Sequence, residues 1–237
     1  MRKYVPVSLG LLFMVSNTSA EMLAQGFNLQ YNVLHNQTYL GVSQNSLKKL
    51  DGDQWEYRAE VEPRGFASLF LSDRITEISR FTRSANTLIP THYFHHHRKR
   101  DRDKQKYEIS FDWDKKLLFN SSLNKHFDLA DLTQDLLSFQ LYLMQKLQQT
   151  PTLDSIAIPI AQRKAVHVYH LVNKGESKLV VPAGDYHVVH LESEAHDGDR
   201  YLLWFAKELE YLPVKFQKVD HDGDIVTLDL FSLGKKP

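Results

Sequence analysis

The feature that most constrains this chain is side-chain alternation with a period of two, sustained over most of its length and broken by one helical stripe. Successive residues of a strand point to opposite faces, so apolar residues at every second position mark a ribbon with one buried face. Phe27–Leu34 sets Phe27, Leu29, Tyr31 and Val33 on one side. After a turn at Asn36-Gln37, the segment Tyr39–Leu50 runs to Asp51-Gly52, a dipeptide that favours a two-residue hairpin. Trp55–Val61 then returns, with Trp55, Tyr57, Ala59 and Val61 alternating against Glu56, Arg58 and Glu60. The same pattern predicts strands at Asp73–Ser79, Leu88–His97, Lys106–Trp113, Ser155–Ile160, Lys164–Val172, Lys178–Val181, Tyr186–Ser193, Arg200–Phe205, Val214–Val219 and Ile225–Phe231. Phe66–Leu71 reads equally as a helical turn or a strand.

The interruption is Asp131–Gln149, where Leu132, Leu136, Phe139, Leu143 and Leu147 recur at helical spacing. Asp131 or Asp128 is placed to cap this helix, and Thr150-Pro151 ends it. A stripe so rich in Leu must be buried, and a large sheet must curl, split or close to protect its edges. The expected fold is therefore mainly β (β+α): a strongly curved antiparallel sheet or open barrel of about a dozen strands with one central amphipathic helix against its concave side. No linker or repeat divides the two β-rich halves, so residues 21–237 are expected to form a single β-rich periplasmic domain.

The compartment is read from the first twenty residues, MRKYVPVSLGLLFMVSNTSA. Arg2 and Lys3, a short apolar run from Val5 to Val15 and the small residues before Glu21 have the order of a secretory signal peptide, with cleavage expected after Ala20. The run is too short to span a bilayer, and no later segment is apolar enough, so an integral membrane protein is not expected after cleavage. The chain contains no Cys, which points to the bacterial periplasm, where an exported domain can rely on its core alone, and removes thiolate metal sites and thiol nucleophiles. A formal net charge of zero gives no basic field for nucleic acid.

Candidate chemistry is sparse. In Thr91–Arg100, His95 and His97 would share one face of a strand and, with a third donor from elsewhere, present imidazoles to a metal ion. The alternative is a polar strand end leading into a charged hairpin tip. A second group, His167, His170, His187 and His190, would bring His167 near His187 if the strands pair as a meander. Asp220, Asp222 and Asp224 have the alternation of oxygen ligands, but strands flank them and position twelve is Phe231, so a hairpin turn is expected. Asp112 and Asp114, beside Lys115 and Lys116, read as part of a turn. There is no G-x-S-x-G elbow, H-E-x-x-H helix, dinucleotide fingerprint or Walker loop, so no cofactor is expected, and catalysis is left open with the balance against it. Arg98-Lys99-Arg100 is a solvated tip or a contact for anionic head groups.

Several short stretches, in order, carry a resemblance. They are Tyr31 through Gly41, Leu88-Ile89-Pro90-Thr91-His92-Tyr93, Tyr107 to Asp112, Asp135-Leu136-Leu137-Ser138, Val181-Pro182-Ala183-Gly184-Asp185-Tyr186, and Trp204-Phe205-Ala206 with Leu212-Pro213-Val214-Lys215. Together they resemble DUF3108, a bacterial exported family of unknown function. The resemblance implies a periplasmic, β-rich envelope protein and assigns no catalytic or binding residue. The functional expectation is a non-enzymatic binding protein for a lipid or other amphiphile, held in a cavity between sheet and helix. A His-based metal protein or metal-dependent enzyme, and an envelope scaffold with a protein partner, are the alternatives.

Overall fold

A computed structural model describes residues 21–83, 87–194 and 198–234. The expected leader and its cleavage point after Ala20 lie outside the described residues. The chain enters through a short helix, α1 (Glu21–Gln25), and a meander of β1 (Phe27–His35), β2 (Thr38–Lys49), β3 (Gln54–Pro63) and, after a 3-10 turn at Gly65–Leu69, β4 (Asp73–Arg83). Next come β5 (Leu88–Lys99), β6 (Arg102–Asp112), and the short pair β7 (Leu117–Asn120) and β8 (Lys125–Asp128). The helix α2 (Ser138–Gln149) leads to β9 (Ser155–Ala161), β10 (Val166–Val181), β11 (Gly184–Glu194), β12 (Arg200–Ala206), β13 (Leu212–Val219) and β14 (Ile225–Gly234).

Among the described residues all fourteen strands belong to one sheet, in the order β8-β7-β6-β5-β4-β3-β2-β1-β14-β13-β12-β11-β10-β9. Every paired neighbour is antiparallel, and β1 pairs with both β2 and β14. The sheet thus curls back on itself but does not close, because β8 and β9 remain its edges. The mainly β, curved-sheet expectation holds, with two more strands than a dozen. Gly41 illustrates how sequence sets the curl: a Cβ there would stand 2.1 Å from the Glu62 carbonyl oxygen, so only glycine permits the close approach of β2 and β3 beside a β-bulge at Val33/Leu34.

Helix α2 runs through the middle. One side, with Leu141 and Met144, packs together with Leu137 just before the helix into a cluster built on Phe27, Trp55, Tyr57, Phe81, Tyr93 and Tyr107. The other side, with Phe139, Tyr142, Leu143 and Leu147, packs against Ile158, Ile160, Leu171, Val189, Leu203 and Phe205. The helix is therefore buried nearly all round rather than along one stripe, as a helix enclosed by a curled sheet must be.

Its start differs from the sequence expectation. Residues Asp131 to Leu137 are not helical, and Leu132 is exposed with φ at 62°, a left-handed conformation that cannot begin a helix. The cap is instead Asp135. Its Oδ1 accepts the N–H groups of Leu137 (2.9 Å) and Ser138 (2.8 Å), and its own N–H donates to Ser138 Oγ (2.9 Å). The Asp135–Ser138 pair is thus a reciprocal capping box, with the longer carboxylate arm on the first residue. Ser79 on β4 adds a hydrogen bond to Asp135 Oδ2 (2.6 Å).

The same stretch bridges the open edge. Gln134 N–H donates to the Pro159 carbonyl (2.8 Å), Ala161 N–H donates to the Gln134 carbonyl (2.7 Å), and Gln134 Nε2 reaches the Leu88 carbonyl (3.2 Å). Asn120 on β7 reaches the Arg163 carbonyl beyond β9 (2.7 Å). One further correction concerns β10, which runs unbroken through 173–177 where two strands were expected. A bulge, with Gly175 at φ 100°, absorbs the irregularity.

Burial pushes the Asp135 carboxyl up to about 6, against the hydrogen bonds from Ser138, Ser79 and Leu137 that favour its charged form. An unfolded aspartate titrates near ~4, so the folded state holds this proton to higher pH, and its contribution to stability is full below about pH 4 and declines as pH rises through 6. Asp135→Asn keeps an acceptor for the helix N-terminus and removes the titration. Denaturant unfolding of wild type and Asp135→Asn from pH 4 to 7 should show the wild type losing on the order of 2 kcal/mol relative to the variant. A constant difference across that range would contradict the buried, uncharged-favouring setting. Leu143→Ala, at a side chain fully shielded from solvent, should cost about 2–5 kcal/mol in the same assay.

Candidate functional site

Aromatic side chains and α1 fill one end of the curled sheet. Leu23 of α1 is buried there, and its carbonyl accepts a hydrogen bond from Arg83 Nη1 (2.6 Å). Toward the other end the filling stops, and a cavity of about 330 Å³ remains. Strands β1, β3, β4, β12 and β14 contribute Val33, Val61, Ile75, Leu203 and Leu228, and the first turn of α2 contributes Phe139. Val33, Val61, Ile75 and Leu228 lie in the halves of their strands that lead to the rim formed by the Asn36-Gln37 turn, the Gly65–Leu69 turn and the Asp220–Asp224 turn.

Most polar side chains in the lining are already engaged. Ser43 Oγ donates to Asn45 Oδ1 (2.6 Å), and Asn45 Nδ2 donates to the Tyr57 hydroxyl (2.9 Å). The Tyr31 hydroxyl donates to the Pro213 carbonyl (2.8 Å). Glu77 accepts from the Tyr93 hydroxyl and lies 3.1 Å from His95 Nδ1. Lys215 is held by Asp229 on the next strand (3.2 Å) and lies over the Trp204 ring. Burial raises the Tyr31 and Tyr93 hydroxyls well above their ordinary range and pushes Tyr57 up to about 12. These phenols stay protonated at neutral pH, so none serves as a base: Tyr31 and Tyr93 donate hydrogen bonds and Tyr57 accepts one from Asn45.

His95 and His97 do share one side of β5, but each faces a different carboxylate. His95 sits against Glu77 and stacks on Tyr107 with ring centroids 5.0 Å apart. His97 Nε2 lies 2.8 Å from Asp73 Oδ1, and that hydrogen bond holds the Asp73 carboxyl below the usual carboxylate range, helped by Lys99. Among the described residues no group of three or more His, Cys, Asp or Glu side chains is arranged to hold a metal ion. The second histidine group is not assembled: His187 lies opposite Lys178, His167 opposite Ile160 and His170 opposite Glu194, because β10 is longer than the sequence pattern suggested. His190 stacks on Trp204 with centroids 4.5 Å apart, and burial lowers its pKa. The acidic segments are turns. Asp220 Oδ1 accepts the N–H groups of Asp222 (3.0 Å) and Asp224 (2.9 Å), and Asp112 accepts the backbone N–H and the ammonium of Lys115.

The cavity lining was missed as a site because its residues are ordinary inward-facing strand positions, spread from Tyr31 to Leu228. The sequence model of the family described as "Protein of unknown function (DUF3108)" matches residues 27–230. The chain belongs to this family. Among curated proteins none matches the sequence. A solved structure titled as a β-barrel-like protein of domain of unknown function DUF1849, from Brucella abortus, is similar in fold, with a TM-score of 0.59 at 10% identity, covering 88% of this chain and 96% of the other.

The stretches that resemble DUF3108 have structural roles in this curled sheet. The Pro90 carbonyl accepts the Trp113 indole N–H (2.6 Å), Tyr93 holds Glu77, and Asp135 and Ser138 cap α2. Gly184, at φ 142°, closes the turn between β10 and β11. These residues hold the wall and the helix that bound the cavity. A spectrophotometric titration of the DUF3108 chain should ionise well under its 11 tyrosines between pH 9 and 11, the rest appearing only with alkaline unfolding. Ionisation of every tyrosine in the folded state would contradict the buried hydroxyl network.

Proposed function

We propose that the mature chain is a non-enzymatic binding protein of the bacterial periplasm that carries a lipid or other amphiphile, with one apolar chain lodged in the cavity. The observation that carries this reading is the unfilled space itself. A cavity of about 330 Å³, lined mainly by aliphatic and aromatic side chains, lies at the mouth of a curled sheet. That volume falls at the lower end of small-molecule sites, roughly 300–1,000 Å³, which place a few polar groups in an apolar wall.

The polar groups support an amphiphile rather than a reactive substrate. Glu77, Asn45 and Ser43 are already hydrogen-bonded within the wall, so an apolar chain can pass them without stripping water from an unpaired charge. Burial of the chain would supply about 25 cal/mol per Å² of apolar surface removed from water. The leader-like first twenty residues support export to the periplasm.

Native mass spectrometry of protein isolated from a bacterial periplasm tests the reading. A copurifying amphiphile of defined mass is expected, and Val61→Phe with Leu228→Phe should abolish it while leaving the unfolding transition near that of wild type. Absence of any bound amphiphile, or retention of the same amount by the filled variant, would overturn it.

A further inference from the structure

Beside the cavity mouth, the turn between β3 and β4 carries side chains that a solvated loop would not. Phe66, Leu69 and Phe70 are 77%, 72% and 70% exposed, three of the four most exposed large apolar residues among the described residues. The Phe66 and Phe70 rings pack on each other with centroids 5.2 Å apart, and Tyr39, itself 42% exposed, flanks Gly65. A patch of this kind, concentrated in one turn, marks a surface that is covered in function.

The neighbouring hairpin tip supplies charge. Asp73 lies opposite Lys99, Arg74 opposite Arg98, and Arg100 N–H donates to the Ser72 carbonyl (3.4 Å), so the β5–β6 tip runs directly beside the apolar turn. Residues 62–74 and 98–104 together hold Arg64, Arg74, Arg98, Lys99, Arg100, Arg102 and Lys104 against Glu62, Asp73, Asp101 and Asp103. Glu62 is engaged by Arg64 and Arg74, Asp73 by His97 and Lys99, and Asp103 by His96. A local excess of positive charge thus sits in a chain whose formal net charge is zero. The acidic Asp220–Asp224 turn stands on the same rim four strands away from β4, which confines the basic edge to the β3–β6 side.

The apolar turn also leads into the cavity. Leu71 and Asp73 help line a smaller depression of about 110 Å³ that shares Val33, Val61 and Ile75 with the main cavity. We infer that the Gly65–Leu71 turn and the basic β5–β6 tip form a docking edge for the surface of an anionic lipid bilayer, with Phe66, Leu69 and Phe70 entering the boundary between head groups and acyl chains. Exposed aromatics beside Lys and Arg match that boundary, where apolar burial and attraction to anionic head groups act together. The edge sets the cavity mouth against the membrane. The inference relies on the carrier reading only for what docking serves.

The test is sedimentation of the mature full-length chain with phosphatidylglycerol–phosphatidylethanolamine vesicles and, separately, with phosphatidylcholine vesicles. Partition onto the anionic vesicles is expected, weakening with salt. Phe66→Ser with Phe70→Ser should reduce it about tenfold or more. Arg98→Gln with Arg100→Gln and Arg102→Gln should erase the preference for anionic lipid. Both variants change exposed side chains, and an unaltered unfolding transition confirms that they fold. No partition of wild type, or partition indifferent to the phenylalanine variant, overturns the inference. So does a dimer that dissociates in that variant without any vesicle binding, which would assign the patch to a second copy. The cavity-filled Val61→Phe, Leu228→Phe protein separates the two readings: it should lose its amphiphile and still sediment with vesicles.

Discussion

The structure depends on how one missing strand pairing is bridged. Consecutive strands pair throughout the meander, and β1 joins β14, so a single gap remains between the edges β8 and β9. The chain itself fills that gap on its way into the helix. Gln134 exchanges backbone hydrogen bonds with Pro159 and Ala161 at the β9 edge, and Asp135 reaches across to Ser79 on β4. A carboxyl buried there costs free energy unless its oxygens are satisfied. Three donors, Leu137 N–H, Ser138 N–H and the Ser79 hydroxyl, meet that requirement and fix the start of α2 at the same time.

Size then explains the interior. Eight strands close around a space that side chains can just fill, and larger sheets leave a lumen unless something enters it. Here α2 enters, buried on both sides, and a group of large aromatics fills the end sealed by α1. Neither reaches the opposite rim, and the cavity is what remains. The same topology brings the Gly65–Leu69 turn and the β5–β6 tip to that rim, because β4 starts and β5 ends there. Cavity, apolar turn and basic tip are thus consequences of one arrangement of strands.

Much of this was legible in order and period. Inward positions such as Phe27, Leu29, Tyr31, Trp55 and Tyr57 are buried as their alternation requires. The helix was legible as an element but not at its start, since Asp131, Asp128 and Asp135 are equally good caps by residue type. The choice falls on Asp135 because Ser79, 56 residues earlier in sequence, lies within 2.6 Å of it. The short β7–β8 pair was missed because four residues carry little periodicity. His95 and His97 stood out as neighbours on one face, yet each meets its own carboxylate, a pairing set by the register of β4 against β5.

By itself the sequence determined a mainly β chain with one buried helix, no thiol chemistry and membership of a family recognisable from short motifs, because period, composition and turn residues are local properties. Only the tertiary structure decided which aspartate caps the helix, how the open seam is bridged, where the interior stays unfilled and which exposed residues share a rim. Those outcomes follow from strand register and from volume, and both depend on residues far apart in the chain meeting across a curled sheet.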